Sequence, residues 1–159
     1  MAGQVTDEQR LEQLLVGASL LRVSFGPESL RGGAATAGPG QVDYRLARNS
    51  VLKEFRRGRL SRLDVCDAHP ELLRAARSIG MPAEQACPIC EGPSLVHVSY
   101  AFGPRLAAGG HCFTTAAELA RLTRRAGDVT CYVVEVCPNC AWNHLARTYV
   151  AGRRRATSS

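Results

Sequence analysis

Two matching tetrads, Cys87-Pro88-Ile89-Cys90 and Cys137-Pro138-Asn139-Cys140, constrain what this chain can fold into more than any other feature. A Cys-x-x-Cys pair in a tight turn aims two sulfurs at one point. Two such pairs supply the four thiolates that tetrahedral zinc takes, at about 2.3 Å each. The proline after each first cysteine fixes φ and preorganises the turn. Val129 to Val136 is rich in β-branched residues, reads as a strand and runs straight into Cys137. Leu95 to Phe102 alternates, with Val96, Val98, Tyr100 and Phe102 on one face. Paired knuckles at one end of a small antiparallel sheet make a zinc-ribbon-like arrangement. The 46 residues between Cys90 and Cys137 are many for that class, and an inserted helix accounts for them. Four thiolates fill the coordination sphere, so the expected Zn²⁺ is structural. Iron in a rubredoxin-like site takes the same ligands and stays open. Two thioredoxin-like redox pairs are the lesser alternative, because each needs a βαβ setting with the motif opening a helix.

The 159 residues include seven cysteines, an odd number that argues against a closed disulfide framework. The start MAGQVTDEQR has no basic n-region, and no apolar run reaches the length of about 18 that a membrane span requires. A cytoplasmic protein with no membrane partner is therefore expected. Of the other cysteines, Cys66 stands near His69 and Cys112 follows His111, each a candidate nucleophile–base pair. Packing is the plainer role for both. Cys112 sits just ahead of a predicted helix, where the N-terminal dipole would lower its pKa. Cys131 reads as core filling within a strand. His97 falls on a polar strand face, and His144 is a minor candidate for a substitute ligand.

Residues 1–40 read as an amphipathic helix followed by the flexible linker RGGAATAGPG, and are expected to be dispensable for the fold. Residues 41–80 read as a basic helical segment with one apolar face at Tyr44, Ala47, Val51, Leu52 and Phe55 and another at Leu72, Leu73, Ala76 and Ile79. A helix-turn-helix and a solvated polar face both fit its charge. Residues 81–152 form the zinc-ribbon-like unit, with Thr115 and Glu118 boxing a helix that Gly127 stops. Trp142 to Val150 fits a strand or a short helix. Residues 153–159 read as a disordered Arg-rich tail. The fold class is α+β: an N-terminal helical segment packed on a C-terminal zinc-ribbon-like antiparallel sheet with an inserted helix.

The stretch from Gln41 to Gly152 resembles an uncharacterised family of small actinobacterial proteins, a domain of unknown function. The resemblance rests on Val42-Asp43-Tyr44, on the run from Val65-Cys66-Asp67-Ala68-His69-Pro70 to Ala76, on Cys87–Cys90, and on the run from Val134 to Leu145. It implies an actinobacterial, cytoplasmic protein and brings no activity with it. Arginine supplies all but one of the 20 basic residues, as expected of a GC-rich genome.

The net charge of +6 is not spread evenly. Residues 42–80 carry nine basic and five acidic side chains, and residues 137–159 carry four arginines and no acid. Trp142, Asn143, His144 and Arg147 beside the second knuckle are candidates for stacking and hydrogen bonding to a nucleic acid or other partner, with Arg153, Arg154 and Arg155 contributing charge. Packing of Trp142 over the metal is the competing reading. The expectation is a non-catalytic zinc-binding adaptor on a nucleoprotein assembly, RNA polymerase or the ribosome. A thiol-based redox sensor or anti-sigma-like regulator and a Cys-dependent enzyme are the alternatives.

Overall fold

The structure is a computed structural model that describes residues 40–152. The expected N-terminal helix and linker, and the tail with Arg153, Arg154 and Arg155, lie outside the described residues.

Chain order is β1 (Gln41–Asp43), α1 (Arg45–Arg56), α2 (Arg62–Val65), α3 (Pro70–Ile79), β2 (Met81–Pro82), β3 (Val96–Phe102), β4 (His111–Phe113), α4 (Ala116–Ala126), β5 (Val129–Val136) and β6 (Asn143–Ala151). Local chemistry sets the helix starts. Ser61 and Asp64 cap α2 reciprocally, and Thr115 and Glu118 do the same for α4. His69 caps α3 by accepting the Glu71 N–H at Nδ1, ahead of Pro70 in the first turn. Gly127, at φ +78°, ends α4 in a conformation open to glycine.

The six strands form one antiparallel sheet in the order β1-β6-β5-β3-β2, with β4 also on β3. Alternation sorts the side chains. Val98, Tyr100, Phe102, Val134, Val136 and Leu145 meet Leu72 and Ala76 of α3 in one core. On the opposite face, Ala101, Val129 and Cys131 meet Leu122 and Ala126 of α4. A third core joins Val51 and Leu52 of α1 to Val65, Leu95, Trp142, Cys87 and Cys137. The protein is thus α+β, with helices at the N-terminal side and a C-terminal antiparallel sheet carrying the cysteines. The inserted α4 lies between β4 and β5.

Some expectations are corrected. The segment 41–80 does not begin as helix: residues 41–43 are a strand paired with β6. Its helices share cores with residues beyond 80, as expected of a helical segment packed on the sheet. Of the two readings open for Trp142 to Val150, strand is the one found, at 143–151, with both edges of β6 taken by β1 and β5. Cys112 lies in β4 opposite Tyr100, four residues short of α4. Burial pushes its thiol up, against the lowering expected at a helix N-terminus, and a hydrogen bond with Tyr100 only partly offsets this. Cys131 is fully buried in β5, as read.

Candidate metal centre

The sheet brings both tetrads to one end. Val96 at the start of β3, Val136 at the end of β5 and Asn143 at the start of β6 stand in register. The first tetrad lies just upstream of β3, and the second is the β5–β6 turn.

The two turns repeat one hydrogen-bond pattern. The Glu91 N–H donates to the Cys87 carbonyl at 3.0 Å, and the Cys87 N–H donates to the Gly92 carbonyl at 2.9 Å. The Ala141 N–H donates to the Cys137 carbonyl at 2.8 Å, and the Cys137 N–H donates to the Trp142 carbonyl at 2.9 Å. In both turns the residue after the second cysteine takes a left-handed backbone, Glu91 at φ 60° and Ala141 at φ 68°. These are the only non-glycine residues with positive φ among those described. A left-handed residue with a Cβ costs about 1–2 kcal/mol, and glycine returns part of that gain as backbone entropy. Glu91→Gly is therefore expected to stabilise the fold by about 0.5 kcal/mol, read as a higher urea midpoint at unchanged slope.

Four sulfurs converge where the turns meet. The Sγ atoms of Cys87, Cys90, Cys137 and Cys140 all lie within 4.8 Å of one another. Cys87 is 3.6 Å from Cys140, and Cys90 is 3.7 Å from Cys137. These separations are far longer than a disulfide bond of about 2.05 Å. They match the edge of a tetrahedron with 2.3 Å metal–sulfur bonds, about 3.8 Å.

The donors around the sulfurs fit anionic thiolates. Cys87 accepts backbone N–H groups of Cys90 and Ile89, Cys90 accepts that of Gly92, and Cys140 accepts that of Trp142. The Asn139 amide reaches from the second turn to Cys90 at 3.7 Å. Burial pushes the Cys87 thiol up strongly and Cys140 to about 12, while the Gly92 N–H leads the lowering of Cys90 to about 6. Cys87 and Cys140, which ionise poorly alone yet accept N–H donors, suit a set completed by a cation. The four cysteines can hold a metal ion, and such an ion would cross-link the two turns.

The other residues singled out in the sequence are distributed differently. Trp142 and His144, expected at the surface as stacking and hydrogen-bonding groups, are 0% and 2% exposed. The Trp142 indole N–H donates to Glu135 at 2.8 Å, and its ring stacks on His144 at 6.0 Å. Residue 142 follows a turn that folds back over the third core, and this carries the ring inward. His144 is outside the four-sulfur cluster. Its Nδ1 lies 2.7 Å from the Leu145 carbonyl, and burial holds its pKa down. Asn143 is also buried and donates to Asp67 at 3.0 Å. Arg147 is exposed, stacks over Tyr149 at 5.5 Å, and lines a cleft of about 740 Å³ with Arg45, Arg48 and His97. His69 spends Nδ1 on the α3 cap, while Cys66 lies near Cys140 and Arg62.

Glu135 is a residue that the sequence reading passed over. It is buried in β5 at 6% exposure and accepts from Arg48 Nε at 2.9 Å as well as from Trp142. His97 stands beside it, with Nε2 at 3.9 Å. An acid at an inward position of a β-branched strand was the available signal. No helix among the described residues is long and apolar enough to cross a membrane.

Comparison with known proteins agrees with the resemblance drawn from the motifs. The chain is 46% identical over 114 residues to uncharacterized protein Rv0049 of Mycobacterium tuberculosis (strain H37Rv), covering 72% of this chain and 83% of the relative. Uncharacterized protein Mb0050 of Mycobacterium bovis matches to the same extent. No solved structure matches the chain. Residues 38–159 match the family of unknown function DUF5318, and with both cysteine turns inside that span the chain belongs to this family.

Proposed function

We propose that Cys87, Cys90, Cys137 and Cys140 hold one structural Zn²⁺, and that the protein is a non-catalytic adaptor docking on a nucleoprotein assembly, RNA polymerase or the ribosome. The observation that carries the reading is the closed four-sulfur set, in which every tetrahedral position is a protein thiol. Iron would take the same four thiolates, and zinc is the reading adopted because a closed four-thiolate set is the usual structural zinc site.

The docking part rests on charge and exposure. Lys53, Arg56, Arg57, Arg59 and Arg62 are exposed along the end of α1 and the start of α2. Leu63, 85% exposed, stands among them. A cationic surface with an apolar centre suits a phosphate-rich partner that also offers protein or base surface. The binding face moves accordingly. The rings of Trp142 and His144 serve the interior, and Arg147 is the member of that group left to face a partner.

Contacts to phosphates release counterions, so binding weakens steeply with salt. Sedimentation of host lysate is expected to bring the protein down with large assemblies at low salt and to free it at high salt. Removing Arg153, Arg154 and Arg155 should flatten that salt dependence and leave metal content unchanged. A protein that stays in the supernatant at low salt and captures neither assembly would overturn the adaptor reading.

A further inference from the structure

A fifth thiol stands against the four-sulfur set. Cys66 ends α2 and packs on the core that contains Cys87, Cys137 and Trp142. Cys140 packs on the same core, and the two thiols lie near one another. The placement is built from both sides of the pair. The Ala68 N–H donates to the Ala141 carbonyl at 3.0 Å, and the Asn143 amide donates to Asp67 at 3.0 Å. Residues 67–68 are thereby tied to residues 141–143, one step along the chain from each sulfur. The Ser61–Asp64 capping box fixes the short helix that delivers Cys66.

Both members of this pair are open to a small oxidant. Cys87 and Cys137 are buried, whereas Cys66, Cys90 and Cys140 are partly exposed. The two remaining thiols are engaged elsewhere, Cys112 with Tyr100 and Cys131 with Tyr149. Cys66 is therefore the one cysteine that packs beside the set without belonging to it.

We infer that Cys66 is the resolving thiol of the metal-site cysteines: when a peroxide oxidises the Cys140 sulfur, Cys66 closes a Cys66–Cys140 disulfide and withdraws that ligand. The Cys140 thiolate attacks one peroxide oxygen and the O–O bond breaks. With hydrogen peroxide this leaves a sulfenic acid on Cys140 and, after uptake of one proton, a water molecule. The Cys66 sulfur then attacks the Cys140 sulfur. The S–O bond breaks, and the departing hydroxide takes the Cys66 proton as a second water. Two cysteine sulfurs have lost two electrons, and the peroxide has gained them. A ligand cysteine is a poor competitor for this step, because its lone pair is committed to the metal, while Cys66 is uncommitted and nearby.

The inference makes the site a peroxide-responsive one whose state is read by the loss of a ligand. It rests on the proposed metal site, because a bound ion must occupy the other three sulfurs, but zinc and iron serve equally. The test uses full-length protein, isolated reduced, its metal content measured, then treated with a single equivalent of hydrogen peroxide. Free thiols are alkylated and disulfides assigned by tandem mass spectrometry of peptides. The first disulfide is expected to be Cys66–Cys140. Cys66→Ser should bind metal as the wild type does, release it at least about threefold more slowly under peroxide, and accumulate dimedone-trapped sulfenic acid on Cys140. A first disulfide within the four-sulfur set with Cys66 still alkylated, or metal release at the wild-type rate from Cys66→Ser, overturns the inference. A preparation that holds no metal overturns the metal site and this inference together, whereas one that holds iron and still joins Cys66 to Cys140 first keeps the inference and defeats the zinc assignment alone.

Discussion

Cys137→Ser is expected to lose the bound metal and, with it, the third core. Elemental analysis of the wild type should give one zinc per chain, and that of the variant none. Structural zinc sites of four ligands carry apparent binding energies of about 10–16 kcal/mol at neutral pH, and that energy is folding energy wherever the site is not preformed. Here the consequence should be regional. Cys87 and Cys137 are themselves members of the core that holds Val51, Leu52, Val65, Leu95 and Trp142. The cores under α3 and α4 contain no member of the four-sulfur set. Loss of the metal should therefore free α1 and both turns while β3, β5 and β6 stay paired. Hydrogen exchange would show protection lost around residues 45–56 and kept along β5. Trp142, the only tryptophan, would report the change by a red-shifted emission. A wild type without metal, or a variant whose Trp142 emission does not move, contradicts the assignment.

Glu135→Ala is the second large effect, expected to cost about 3–5 kcal/mol. The carboxylate is 7% exposed and its Arg48 partner 17%. Truncation leaves a largely buried guanidinium and the Trp142 N–H without an acceptor. Glu135→Gln keeps an oxygen for the indole and loses only the ionic part, so it should cost about half as much. Burial by itself raises the Glu135 pKa, but His97, Trp142 and Arg48 together outweigh it, and the folded value lies below the ordinary 4.5. A carboxyl with a depressed folded pKa adds stability that is complete above its unfolded pKa. That stability is lost as pH falls through the folded value. The gap between wild type and Glu135→Gln in urea should therefore be constant above about pH 5 and narrow below it. Metal-linked protonation is common to both chains and cancels in the difference. A gap that widens on acidification rules out the paired carboxylate.

Spacing by itself identified the four sulfurs, because a Cys-x-x-Cys turn imposes its own geometry and one metal needs two such turns. The capping box at Thr115, the Gly127 stop and the strands at 96–102 and 129–136 were equally legible or nearly so, each being a local preference expressed within a few residues. Tertiary structure decided the rest. Strands β1, β2 and β4 hold three residues or fewer and become strands only through the partner edge that β6 or β3 offers. That same pairing moved Cys112 from an imagined helix terminus into the sheet. For Trp142 and His144 the sequence left a surface role and, for Trp142, packing over the metal both open, because they follow a knuckle and sit near arginines. Their direction depends on a turn that folds back over residues far earlier in the chain, and on Glu135 being there to receive the indole. Cys66 looked like an isolated small residue, and only the fold sets it beside Cys140, across 74 positions of sequence. Local chemistry is written in adjacent residues, whereas contact between distant segments is set by the summed packing of three cores, which no short window of sequence contains.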